Sequence, residues 1–221
     1  MNIITGLYAA CAGVLEPGGE RSAILKRPLP RASVTRLGIV GDEQADRRYH
    51  GGPDQALHQF AQASYPRIVR ARPELDGVAV PGSIGENLSC TELDEENVCI
   101  GDRYRIGGVE IEVSQPRRPC SKIDARYDAQ GLARFIDEQR MPGWYLRVIR
   151  GGEIALGDEM VLVARPNPSI SVARLLGIVA EHRPAATDLQ LLADCATLGP
   201  DWRRRIRERL EFISRAAAPS A

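Results

Sequence analysis

From its N-terminus to about Ala164 the chain is interrupted at short intervals by Gly, Pro, Asp and Asn, and only short apolar or alternating runs remain between the interruptions. That texture predicts a mostly β domain. The expected strands are Ile3–Ala10, Ser22–Lys26, Ser33–Ile39, Ala56–Phe60, Tyr104–Ile106, Val109–Ser114, Trp144–Ile149 and Glu159–Val163. Gly101-Asp102, Gly107-Gly108, Gly151-Gly152 and Gly157-Asp158 supply the positive-φ positions of tight connections. Many short strands with few helices favour a folded-over or barrel-like sheet, which leaves little exposed edge.

Two helices interrupt this pattern. Ser64 reads as the N-cap of the first, with Pro66 in its first turn and Pro73 as its stop. The second is expected from about Asp128 to Gln139, with Leu132, Phe135 and Ile136 on one side. At Arg165-Pro166-Asn167-Pro168 the texture changes to helical throughout. Ser171 is placed to cap one helix, Thr187 or Asp188 to start a second, and Gly199-Pro200 to open a third that carries Trp202, Ile206, Leu210 and Ile213 on one face. The expected organisation is a β-barrel-like domain over residues 1–165, a small all-α three-helix appendage over 166–215, and a flexible tail over 216–221.

A chain of 221 residues suffices for such a domain with its appendage. Its 29 basic and 29 acidic residues cancel, so no net field recruits nucleic acid or an anionic membrane. The arginines of the last helix are matched in part by the i,i+4 pairs Arg204–Glu208 and Arg207–Glu211 and read as a solvated face. Lys26 and Lys122 are the only lysines, a bias that genome composition accounts for as well as chemistry does. Five scattered cysteines without a C-x-x-C pair argue against a disulfide framework or a thiolate zinc site, and point to a reducing compartment. With no basic leader at the N-terminus and no run of membrane-spanning length, the expected location is the cytoplasm.

The chemistry concentrates in two stretches. In Ser114-Gln115-Pro116-Arg117-Arg118-Pro119-Cys120 a lone thiol follows two arginines between prolines. Adjacent guanidinium charge stabilises a thiolate, the nucleophilic and metal-binding form, whereas an inert buried thiol is the other reading. The prolines predict a rigid irregular turn at this point and not a continuing strand. In Arg47-Arg48-Tyr49-His50-Gly51-Gly52-Pro53-Asp54 a histidine is set against two glycines that admit close backbone approach, behind two arginines. Further on, Gly85-Glu86-Asn87-Leu88 puts a carboxylate and an amide beside a turn. Cys99 and Cys195 read as structural, Cys11 and Cys90 as near turns and open to reaction, and His58 as a partly buried strand residue.

Taken in order, Gly41-Asp42, His50-Gly51-Gly52-Pro53-Asp54, Gly85-Glu86-Asn87-Leu88, Gly101-Asp102 and Gln115-Pro116-Arg117-x-Pro119-Cys120 resemble a MOSC domain, the type named for the C-terminal part of molybdenum cofactor sulfurases. The helical tail resembles that of the YiiM-type bacterial members. The resemblance implies a β-barrel-like fold that binds the molybdenum cofactor (molybdopterin), with Cys120 as thiolate ligand to molybdenum. It also implies Arg47, Arg48, His50, Gly51, Gly52, Asp54, Glu86, Asn87, Arg117 and Arg118 as cofactor-binding residues, with Asp102 helping to orient the ligands. The implied activity is reduction of N-hydroxylated compounds, hydroxylaminopurines or amidoximes, with His50 as proton donor. No dinucleotide or haem-attachment motif is present in the sequence, so electrons would come from a separate reductase. Two further readings stand beside it: a non-catalytic cofactor carrier or storage module, and a sulfur carrier using a Cys120 persulfide. Larger eukaryotic relatives have an extra N-terminal domain that helps hold the pterin; here the three-helix tail, or the second subunit of a homodimer, is expected to supply that wall.

Overall fold

The turn Gly107-Gly108, with Gly107 at φ +53, folds β9 (Arg103–Ile106) back onto β10 (Val109–Pro116) as a two-residue hairpin, and the sheet grows outward from that pair. The structure is a computed structural model that describes residues 1–16, 18–46 and 51–217; Arg47, Arg48 and His50 lie outside the described residues, as does most of the expected tail. The main sheet also contains β1 (Ile4–Ala9), β4 (Arg27–Pro28), β7 (Leu57–Gln59), β8 (Leu88–Cys90), β11 (Trp144–Arg150) and β13 (Met160–Ala164), in the order β13-β9-β10-β11-β7-β8-β1-β4. Its pairs are antiparallel except β7 with β8, and the mixed sheet curls into a half-barrel. A smaller sheet of β12 (Gly152–Ala155), β5 (Arg31–Thr35) and β6 (Gly38–Ile39) adds Ala32, Val34, Ile39 and Ile154 to the core, while β2 (Gly13–Leu15) and β3 (Glu20–Ser22) form a separate hairpin.

Helices α1 (Ser64–Ala71), α2 (Lys122–Tyr127) and α3 (Leu132–Glu138) surround a second apolar cluster built on Phe60, Tyr65, Ile68, Leu132 and Ile136. The expected helix over 128–139 is shorter and has a neighbour. Asp128 takes the left-handed conformation at φ +48 and Gly131 is at φ +81, which ends α2 and delays α3; the Asp124 carboxylate accepts the N–H groups of Gly131 and Ala133. Ser64 is the first helical residue, with Ala63 in the cap position. Residues 23–26, expected in a strand, run unpaired between β3 and β4.

Pro116, expected outside the strand, is the last residue of β10. It pairs with Trp144, and the Arg117 N–H donates to the Gly143 carbonyl at 3.0 Å, so the ladder continues past the proline. Proline is tolerated here because β9 accompanies β10 only as far as Glu112, which leaves the far side of Pro116 without a strand that would need its N–H.

The three C-terminal helices, α4 (Val172–Ala180), α5 (Ala186–Ala193) and α6 (Pro200–Ala217), share the main core: Val172, Leu175, Leu189, Trp202 and Ile206 belong to the same apolar cluster as Tyr104, Ile111 and Trp144. The Ser171 hydroxyl caps α4 by accepting the Arg174 N–H at 3.1 Å. The proline linker is fastened to the barrel. Arg165 donates to both oxygens of the fully buried Asp102, at 2.9 and 2.7 Å, and Asn167 donates to the Ile100 carbonyl and the Thr197 hydroxyl.

Candidate functional site

Where β10 runs out, its last residues form one wall of a cleft of about 710 Å³. Gln115 to Lys122 line this wall, and His58 of β7, Asn87 before β8, and Tyr145 of β11 face them. Gly51 and Gln55 contribute from the turn before β7. Gly51 is at φ +88, a conformation that residues with a side chain rarely adopt, so the backbone of this turn calls for glycine.

Cys120 is half-buried on the cleft wall. Arg117, three residues earlier, is 7% exposed, and its Nη1 is buried with no hydrogen-bond partner among the described residues. The same is true of Nε2 of His58 and Oε1 of Gln55. Three buried polar atoms left unmet around one cleft are an arrangement that a polar ligand relieves. Burial, reinforced by the nearby Arg117 charge, holds His58 well below the usual histidine pKa, so its ring is neutral at physiological pH. The Tyr145 hydroxyl is raised by loss of solvent; Arg117 opposes that rise and Cys120 adds to it.

Below this wall lies an ion pair. Lys26 Nζ sits 2.6 and 2.7 Å from the two oxygens of Asp42, and the two side chains are 7% and 5% exposed. Asp42 also accepts the Ala10 N–H at 2.8 Å and the Asn87 side-chain amide at 2.8 Å. Asn87 in turn clamps β7: its N–H donates to the His58 carbonyl and its Oδ1 accepts the His58 N–H.

The tail provides the remaining wall. Asp201, Trp202 and Arg205 of α6 line the cleft, and the Arg118 guanidinium lies over the Trp202 ring at 4.9 Å. Arg21, Arg118, Lys122 and Arg205 therefore surround the opening, with Lys122 paired to Glu20 at 2.5 Å.

The residues expected from sequence divide into two groups. Cys120, Arg117, Arg118, Asn87 and Gly51 line the cleft together. Glu86 is fully buried off the lining, where its carboxylate accepts the Tyr65 hydroxyl at 2.5 Å and the Gly82 and Ile84 N–H groups at 2.6 and 3.2 Å; burial pushes its pKa up, and the Tyr65 and Gly82 donors oppose the rise. Asp54 pairs with Arg147 at 2.6 Å, which also holds Glu112, and Asp102 serves the linker; none of these three acids lines the cleft. Gly52 is off the lining too. His58, Lys26, Tyr145 and Gln55 were not expected there, whereas α6 takes the place of the wall expected from the tail or a second subunit; one sequence signal was available, in that both lysines of the chain line this cleft. Cys90, expected near a turn, is buried in β8, and burial pushes its thiol up to about 12.

A smaller cleft of about 390 Å³ beside Arg67, Glu95 and Arg140 contains none of the expected site residues. Among the described residues no group of three or more His, Cys, Asp or Glu side chains is placed to hold a metal ion, and no helix is long and apolar enough to cross a membrane.

The MOSC domain family model matches residues 46–161, the span that carries both cleft walls around Cys120 and Asn87. The chain belongs to the MOSC domain family. Protein YiiM of Escherichia coli (strain K12) is 36% identical to this MOSC protein over 195 residues, covering 87% of this chain and 86% of YiiM. A protein named Reductase from Gibberella moniliformis is 39% identical over 185 residues, which cover 82% of this chain and 32% of that longer protein. The crystal structure of YiiM from Escherichia coli superimposes with a TM-score of 0.80 at 27% identity, over 96% of this chain and 94% of that one. YiiM from Geobacillus stearothermophilus gives 0.79 at 26% identity, over 95% and 100%. MOSC domains are associated with molybdenum cofactor binding.

Proposed function

We propose that the cleft binds the molybdenum cofactor with Cys120 as thiolate ligand, and that the protein reduces N-hydroxylated compounds of the hydroxylaminopurine or amidoxime type with electrons from a separate reductase. One observation carries this reading: a half-buried thiol and a buried guanidinium with an unmet Nη1 stand three residues apart on one cleft wall. A soft sulfur donor beside positive charge suits a thiolate-ligated metal with an anionic organic part. The donor set fits a metal carried in by its own organic ligand better than a bare ion, because the described residues offer one cysteine at the cleft and no cluster of metal-binding side chains. The relative from Gibberella moniliformis is named Reductase, which supports redox chemistry.

When bound, the cofactor supplies two-electron chemistry at its metal. Arg117 and Arg118 hold and neutralise its anionic part, and Gly51 lets backbone come close to it. Asn87 fixes the cleft floor through His58 and Asp42. His58, being neutral, offers a hydrogen bond without adding charge. Arg47, Arg48 and His50 retain the cofactor-binding roles read from sequence. The proposed setting is the reducing cytoplasm, in which cysteines outside disulfides persist.

The test is metal analysis of protein made in a host that synthesises the cofactor. Molybdenum near one per chain is expected, and Cys120→Ser is expected to keep its circular dichroism spectrum while losing molybdenum and reduction of a hydroxylamine-type substrate by dithionite. Absence of molybdenum even after anaerobic addition of cofactor defeats the reading. Bound molybdenum without turnover under any donor makes the protein a carrier, and a sulfur adduct confined to Cys120 in metal-free protein makes it a sulfur carrier.

A further inference from the structure

Only two of the 29 basic residues are lysines, and both line the cleft. Everywhere else guanidinium serves, so these positions invite the question of what an ammonium does that arginine cannot: it is compact, and it releases a proton. Lys122 is partly exposed and paired with the partly exposed Glu20, a role arginine fills equally well. Lys26 is different. Its side chain is nearly covered, its ammonium is held by both oxygens of Asp42, and Asp42 is fixed from behind by Ala10 and Asn87. The charged and titratable groups facing it are Asp42 before β7, Glu86 before β8, Arg117 at the end of β10 and His58 in β7. Burial lowers its pKa, against the opposing pull of Asp42.

Resting on the function proposed above, we propose that Lys26 is the cleft's proton donor, protonating the oxygen that departs as the N–O bond of an N-hydroxylated substrate breaks. In the balanced reaction, R–NHOH with two electrons and two protons gives R–NH₂ and water. The separate reductase supplies the electrons, the Lys26 ammonium gives its proton to the leaving oxygen, and solvent supplies the proton on nitrogen and then restores Lys26. The other described candidates serve less well. His58 is neutral and buried, Tyr145 has a raised hydroxyl, and Glu86 lies off the cleft and already receives Tyr65, Gly82 and Ile84.

With two lysines, lysine-selective ¹⁵N labelling gives two side-chain ammonium signals, and the one missing from Lys26→Arg belongs to Lys26. That signal is expected to titrate below the other in cofactor-free protein; titration of both near the ordinary value of about 10.4 overturns the proposal. In molybdenum-loaded protein, kcat should fall as pH rises through the Lys26 titration, because a donor must be protonated. Lys26→Arg keeps the charge opposite Asp42 but holds its proton, so kcat should drop about 100-fold and the alkaline limb should vanish, with KM and molybdenum content unchanged. Lys26→Met combined with Asp42→Asn removes both charges together, avoids stranding a buried carboxylate, and should lose the same limb. A kcat within twofold of wild type in either loaded variant, or an alkaline limb that survives in both, overturns the proposal. Wild-type protein that never takes up molybdenum defeats the cofactor reading instead, and the ¹⁵N titration still judges Lys26.

Discussion

Arg118 rests its guanidinium 4.9 Å from the centre of the Trp202 ring, joining the segment after β10 to the first turn of α6. Trp202 is 7% exposed and belongs to the main core, so one ring both anchors the tail and backs a cation at the cleft. Trp202→Ala should cost about 3–5 kcal/mol by denaturant unfolding. A double-mutant cycle with Arg118→Ala should isolate a coupling of about 0.5–1 kcal/mol, given that Arg118 is exposed. A coupling of zero would mean that the stacked geometry contributes nothing.

Glu95 should make stability depend on pH. Its carboxylate is buried and accepts the Gly143 N–H at 2.8 Å; burial raises its pKa from the usual 4.5 to about 7. Below 4.5 the folded and unfolded chains both hold this proton. As pH rises towards 7 the unfolded chain releases it while the folded state retains it, so folding loses ground across that window and the penalty is complete above it. At about 1.4 kcal/mol per tenfold change in proton affinity, the gap between 4.5 and 7 amounts to roughly 3 kcal/mol. Glu95→Gln keeps the acceptor oxygen and should be more stable than wild type at pH 8, with little difference at pH 4. Unfolding curves at the two pH values decide it.

Gly143→Ala should be severely damaging. Gly143 is at φ +77, and a β-carbon there would overlap the Gln59 carbonyl oxygen and sit 2.9 Å from His58 Nε2. The backbone strain alone is worth about 1–3 kcal/mol, before any displacement of β7. Because Gly143 also accepts the Arg117 N–H, the cleft wall should shift with it. Expression yield and Tm of the variant read this out; a Tm within about 2 °C of wild type would refute the stated packing.

Local signals in the sequence identified two helix starts, Ser171 capping α4 and Gly199-Pro200 opening α6, whereas Ser64 and Thr187 lie inside α1 and α5, with Ala63 and Ala185 in the cap positions. The positions of β9 and β11 followed from short runs between glycine turns to within one residue at an end, while β10 runs two residues past the expected Ser114, to Pro116. Strand β8 escaped because Leu88-Ser89-Cys90 is too short to show a period and is recruited by β1 from a distance. At the site, Cys120 and its arginines were legible because their chemistry is local. Lys26 was not, since its partner Asp42 is 16 residues away and Asn87, which holds Asp42, is 45 residues beyond that. Asp54 and Glu86 were assigned to the cofactor through the family resemblance, which carries no information on their long-range partners. Arg147, 93 residues after Asp54, and Tyr65, 21 residues before Glu86, engage them instead.

Thiol accessibility should separate the cysteines into two sets. Cys11 is exposed and Cys120 half-buried, while Cys90, Cys99 and Cys195 are buried, and Cys90 is held protonated with a pKa near 12. Brief treatment of native protein with a maleimide, followed by peptide mass spectrometry, should mark Cys11 and Cys120 and spare the other three. Fast labelling of Cys90 would contradict its place in β8.

The cleft takes its lining from Arg21 near the start of the chain, from residues on both sides of Cys120, and from Trp202 and Arg205 in the last helix. A binding site assembled from such distant stretches does not exist on a partly synthesised chain. Translation must pass residue 205 and α6 must dock before the pocket closes, so loading of any ligand is a post-translational event, and an immature chain with its core half built offers the cell nothing to load.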